Sequence, residues 1–227
     1  MSLVLHYHPL ASFCWKPLIA LYENDTAFEP VMVDLGNPES RAAFEKVWPM
    51  AKFPVLVDTD RGATIAESTT IVEYLDTFHP GPVRLLPVDQ DGAWQARMWD
   101  RVFDHYLQEP MQKIVGDRLR PDGGHDLQGV EQALGGLRQA YAMLEPLLVG
   151  RDWFLDEFSL VDCSAAPALL YADAVLPFTA SEVNLLGYLN RLKERPSFAR
   201  VLEEAEPYFD YFPIDRKPSR APQMVLA

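Results

Sequence analysis

The chain changes character once along its length, and that change limits what it can become. Up to Phe78, short Val- and Ile-rich runs alternate with segments of helical spacing. His79-Pro80-Gly81-Pro82 then breaks any helix, and Leu86-Pro87 with Asp89 and Asp91 prolongs the break. No strand-like segment follows. The pattern predicts a small α/β unit over residues 1–80, a linker over 81–91, an all-helical unit over 92–210 and an extended tail over 211–227.

Within the first unit, Leu3–Tyr7 reads as a strand that Pro9 ends. Cys14–Asn24 has helical spacing, with Leu18, Leu21 and Tyr22 on one side. Pro17 is tolerable there only in the first turn, so the helix is expected to begin close to Ser12–Lys16. Phe28–Leu35 is a second strand, Pro38–Val47 a short helix and Pro54–Val57 a third strand. Asp60-Arg61-Gly62 is a hairpin turn leading into a strand over Ala63–Ile65, and Glu67–Phe78 is a helix. The order is βαβ followed by αββα. Beyond the break, helices are expected over Gly92–Ile114, Leu127–Leu148, Ser159–Ala174, Glu182–Glu194 and Ser197–Tyr208. Ser159, with Asp162 three residues on, is a capping box.

Composition excludes several functions. Asp and Glu total 33 against 20 Lys and Arg, a formal charge of −13 divided about evenly between the two units. Such a chain repels phosphate backbones, so no nucleic-acid partner is expected. Cys14 and Cys163 are the two cysteines, too few for a disulfide framework or a four-ligand zinc site. No metal site is expected from His6 and His8. The N-terminal residues lack a basic leader with a long apolar region, and the richest apolar stretch, Ala165–Phe178, is interrupted by Pro167, Asp173 and Pro177. A reduced cytoplasmic setting without membrane partners is the expectation.

Several motifs then stand in order along the chain. Lys52-Phe53-Pro54-Val55-Leu56 resembles the "x-V-P-x-L" loop of the cytosolic glutathione transferases, and Ala66–Leu75 resembles their "x-E-S-x-x-I-x-x-Y-L" motif. Ser159–Asp162 is similar to the family's helical-domain capping box, and Arg195-Pro196-Ser197-Phe198 to the lead into its last long helix. The run Lys16–Glu23 resembles bacterial members akin to lignin β-etherases, and Ser12 the second serine of a zeta-like loop. The resemblance implies a thioredoxin-like N-terminal domain, a helical C-terminal domain and glutathione as co-substrate. It implies a cis bond before Pro54, a role in detoxification and attack on a small hydrophobic electrophile. It also implies a homodimer, with Asp100, Arg101 and Asp104 facing the partner.

The residues carry a physical reading beside the resemblance. Backbone groups freed beside Pro54 can hold an extended peptide as a further strand would, and the resemblance places the cysteinyl part of glutathione there, which makes Phe53 and Pro54 candidates. Ser68 at a helix start suits a carboxylate, Glu67 an ammonium, and Lys52 a second carboxylate. A free thiol ionises near pH ~8.5, so the reaction needs a group that stabilises the thiolate. Three candidates are present. Ser12 is a hydroxyl at a helix start, Cys14 approaches the same place, and Tyr7 ends the first strand; Ala11 occupies the usual serine position. With Cys14 as nucleophile the protein would be a monothiol oxidoreductase; with no donor it would be a binding module. The apolar helix Trp94–Tyr106 is a candidate both for pocket wall and for dimer face. The aromatic run Tyr208–Pro213 either folds over the domain junction or packs a last helix.

Overall fold

The computed structural model describes residues 2–223; Met1 and the end of the expected tail, 224–227, lie outside them. Four strands, β1 (Leu3–Tyr7), β2 (Glu29–Met32), β3 (Val55–Asp58) and β4 (Ala63–Ala66), form one sheet in the order β2-β1-β3-β4. β1 runs parallel to β2 and antiparallel to β3, with Leu5 opposite Pro30 on one side and Leu56 on the other. Pro30 is compatible with the sheet because β2 is an edge. The β3–β4 hairpin turns at Gly62, whose φ of 61° a side chain would resist.

Helices α1 (Ser12–Glu23), α2 (Pro38–Val47) and α3 (Ser68–Phe78) complete this unit. The expected βαβ–αββα order is present. Pro17 departs from expectation: it is the sixth residue of α1, in the second turn, and so forfeits one intrahelical hydrogen bond. Tertiary docking overrides that loss, since nine residues of α1, Lys16 and Pro17 among them, are buried.

The second unit contains α4 (Gln90–Val102), α5 (Glu109–Arg118), α6 (Leu127–Leu144), α7 (Leu160–Val175), α8 (Val183–Glu194) and α9 (Pro196–Ala205). α7 is buried on every side from Leu160 to Ala174, as a helix apolar all round must be. Ser159 caps it: its Oγ accepts the Val161 N–H at 3.3 Å, and Asp162 accepts the Ser159 N–H at 2.9 Å. The single helix expected over 92–114 is instead two, joined by a π-helical segment at Phe103–Gln108. Pro110 is the cause within reach, since its ring clashes with the carbonyl of Tyr106 one turn back and removes a donor.

The two units meet around one ammonium group. Lys16 is wholly buried; its ammonium donates to Thr69 Oγ1 at 2.9 Å and to Asp104 Oδ2 at 2.8 Å and Oδ1 at 3.0 Å, and it pairs with Asp100 Oδ1 at 2.7 Å. Asp100 also accepts from Thr69 at 2.8 Å, Arg101 at 2.6 Å and Ser164. Asp100 and Asp104 therefore do not face a partner subunit; they are consumed inside the chain. Burial raises the Asp104 carboxyl above the usual range, and Lys16 opposes that. Lys16→Met leaves Asp104 without its cation and Asp100 with Arg101 alone. It should lower stability by about 3–5 kcal/mol in urea unfolding; a loss under about 1 kcal/mol would mean that the network contributes little to the fold.

Candidate functional site

A cleft of about 640 Å³ opens between the two units. All five of the expected ligand residues line it: Lys52, Phe53, Pro54, Glu67 and Ser68. The Phe53–Pro54 peptide is cis. Strand β3 begins only at Val55, and among the described residues no hydrogen bond uses the Phe53 N–H or C=O. Both groups remain available to an extended chain laid along the cleft.

Glu67 is the hinge between β4 and α3. Its φ is 67°, a conformation that costs a non-glycine residue roughly 1–3 kcal/mol. The strain turns the chain so that the start of α3 lines the cleft. Ser68 is the first residue of that helix; it is 6% exposed, and its hydroxyl has no partner among the described residues. α3 has no side-chain cap and no acid in its first turn, so its free N–H groups and positive end favour an anion. Lys52 and Arg101 bring positive charge to the cleft, and Glu67, Asp104 and Glu109 negative charge. A zwitterionic ligand with more than one carboxylate matches that mixture.

A second cavity of about 310 Å³ adjoins the first, with Phe13, Phe53 and Gln112 in the walls of both. The β1–α1 loop forms one side through Leu10, Ala11 and Ser12. That loop is held by the Trp15 indole, which donates to the Pro9 carbonyl at 2.6 Å, and by the Tyr171 hydroxyl, which donates to the Leu10 carbonyl at 2.8 Å. Ser12 opens α1, and Ala11 is its N-cap residue. The Ser12 hydroxyl therefore does not cap its own backbone, and among the described residues it has no partner.

The other two thiolate candidates line neither cavity. Cys14 is fully buried, and burial pushes its thiol up to about 12. Tyr7 is half-buried; burial, then the Glu204 carboxylate, raises its hydroxyl above the ordinary range.

Two parts of the second cavity were not legible. The helical wall comes from Met111, Gln112 and Val115 of α5, with Leu119 just after it, and not from Trp94–Tyr106, since the π-helical segment between them interrupts the α-helical period. Tyr211, Phe212 and Pro213 close another side, with Phe212 packed on Tyr171 at 5.2 Å between ring centroids. The aromatic run itself was the available signal; which surface it covers depends on contacts far away in sequence.

Known proteins share these features. The family model for the glutathione S-transferase N-terminal domain matches residues 5–83, and that for the C-terminal domain matches residues 128–204. Protein LigF of Sphingobium sp. (strain NBRC 103272 / SYK-6) is 34% identical over 109 residues, which is 47% of this chain and 42% of LigF. The chain thus aligns with less than half of that relative's length. A stringent starvation protein A homolog of Pasteurella multocida (strain Pm70) is 29% identical over 198 residues, 86% of this chain and 87% of that protein. The solved structure of a glutathione S-transferase from Methylobacillus flagellatus KT, with GSH bound, superposes with a TM-score of 0.79 at 26% identity, covering 88% of this chain and 98% of that one. The two family models fall on the α/β unit and on the helical unit, and the chain belongs to the glutathione S-transferase family.

Proposed function

We propose that the protein is a glutathione transferase that ionises the glutathione thiol and directs it at a small hydrophobic electrophile. The observation that carries this reading is the position of Ser12. Its unpartnered hydroxyl stands at the start of α1, in the wall of an apolar cavity that shares Phe53 with the charged cleft. In this reading the cysteinyl part of glutathione pairs with the Phe53 backbone. Ser68 and the α3 N-terminus hold the γ-glutamyl carboxylate, Glu67 its ammonium, and Lys52 the glycyl carboxylate. The sulfur then lies near Ser12, where a charge-assisted hydrogen bond and the positive helix end stabilise the thiolate. The electrophile occupies the second cavity, between α5 and the aromatic residues Tyr171, Tyr211 and Phe212.

A monothiol oxidoreductase built on Cys14 is disfavoured, because a nucleophilic cysteine must be accessible and ionised. Neither cysteine should react with iodoacetamide in the folded protein at neutral pH, and both should react after unfolding. A rapid adduct on native Cys14, read by mass spectrometry, would restore the oxidoreductase reading. A binding protein without turnover is the second reading. It is favoured by Ala11 at the usual donor position and by the long alignment with a protein named for a starvation response.

Two substitutions separate binding from activation. Ser68→Ala removes a hydrogen bond to a carboxylate and should weaken glutathione binding by roughly 10- to 100-fold in calorimetry. Ser12→Ala should leave affinity nearly unchanged and raise the bound thiol's pKa by about one to two units, measured by thiolate absorbance. Glutathione binding with an unshifted thiol in the unaltered protein would support the second reading.

The exposed face of α4 suits a homodimer, our reading of its assembly. Trp94 and Met98 are 52% and 41% exposed, and Tyr106 in the following segment is 53% exposed. Sedimentation should give a dimer at micromolar concentration, and Met98→Lys should shift it toward monomer. A monomer in the unaltered protein would remove this assignment.

A further inference from the structure

His8 lies between β1 and the loop that carries Ser12, and it lines neither cavity. Its Nδ1 accepts the Leu10 N–H at 3.1 Å, and its carbonyl accepts the Ala11 N–H at 3.0 Å. The first bond spans two residues from side chain to backbone, the ring counterpart of an Asx turn. With the Nδ1 lone pair engaged, the neutral ring carries its proton on Nε2.

The same ring packs against two others, Phe53 in the cavity walls and Tyr208 of the C-terminal segment. It is stacked on Phe53, with 6.1 Å between centroids and 21° between planes. It meets Tyr208 edge-on at 5.7 Å and 72°. Tyr208 in turn donates to Met32 Sδ at 3.4 Å, and its segment leads directly to Tyr211 and Phe212. One imidazole thus joins the β1–α1 loop, the loop before β3 and the C-terminal segment.

We infer that His8 is a positioning residue whose neutral imidazole closes the β1–α1 loop and holds Ser12 in register with Phe53 and the C-terminal segment. The catalytic consequence rests on the proposed role of Ser12; the closing of the loop does not. A proton on Nδ1 would turn the acceptor into a donor aimed at the Leu10 N–H. The turn could not persist, and the ring would have to swing away from Phe53 and Tyr208.

The surroundings keep the ring neutral at ordinary pH. Burial holds the imidazole below its usual range, and the Asp34 carboxylate after β2 opposes that. Tyr7 adjoins it in β1, Tyr208 faces it from the C-terminal segment, and Lys52, beside Phe53, lines the cleft. Because the folded-state pKa is lowered, the loop is closed at neutral pH and loosens as acidification passes below the ordinary imidazole range.

The test compares the unaltered chain with His8→Asn and His8→Ala. Asparagine Oδ1 can take the place of Nδ1 in the turn and does not titrate. Without ligand, the protection factor of the Leu10 amide should fall on acidification in the unaltered protein, in step with protonation of His8 followed by ¹⁵N NMR. His8→Asn should keep that protection across the same range. His8→Ala should lose it throughout, exchanging about fivefold faster or more. With glutathione bound, His8→Ala should raise the thiol pKa and His8→Asn should restore it. An Nδ1–H tautomer at neutral pH, or equal Leu10 protection in the unaltered and His8→Ala proteins, overturns the inference. Should His8→Ala not fold, Leu10 protection independent of His8 protonation in the unaltered chain overturns it equally. Failure of the unaltered protein to bind glutathione at any pH would sink the functional reading, and exchange at Leu10 would still decide the role of His8.

Discussion

The Lys16 ammonium is the point on which both units depend. Taking one cation and two carboxylates out of water costs several kcal/mol per ion unless every donor and acceptor is satisfied. Here the ammonium donates to Thr69 and Asp104 and pairs with Asp100, which also accepts from Thr69, Arg101 and Ser164. Those residues come from α1, α3, α4 and α7, so the network ties the four helices together at one point. The N-termini of α1 and α3, where Ser12 and Ser68 stand, lie one turn or less from this network. Their separation is therefore set by ion pairing at the domain boundary and not by the loops that precede them.

The strands, the hairpin at Gly62 and the Ser159 cap were legible because each rests on local pattern: alternation, a turn residue, an acid three positions from a serine. Lys52, Phe53, Pro54, Glu67 and Ser68 were legible as a group because two short motifs carry them, and the fold brings both motifs to one cleft. Asp100 and Asp104 were not. Charged side chains are almost always exposed, and a helix containing Asp100, Arg101 and Asp104 reads as a solvent or partner face. What buries them is Lys16, more than 80 positions away and itself next to a proline that argues for a shorter helix. The wall of the second cavity was missed for a related reason. A π-helical segment shifts the facing of every residue after it, so the periodicity before Phe103 does not carry through to Met111.

Helix geometry also connects the choice of thiolate donor to the ion network. Successive residues are rotated by about 100° around an α-helix, so positions two apart lie on nearly opposite faces. With Ser12 facing the cavity, Cys14 must face the interior, which matches its complete burial. Four positions on, Lys16 returns to the face of Ser12, one turn deeper. The face of α1 that presents a hydroxyl to the cavity thus continues into the buried ammonium. A substitution that rotated α1 enough to bring Cys14 into the cavity would also withdraw Lys16 from Asp100 and Asp104. The same contacts that stabilise the domain junction therefore hold Ser12 outward and Cys14 inward, and the two assignments cannot be exchanged without unmaking the junction.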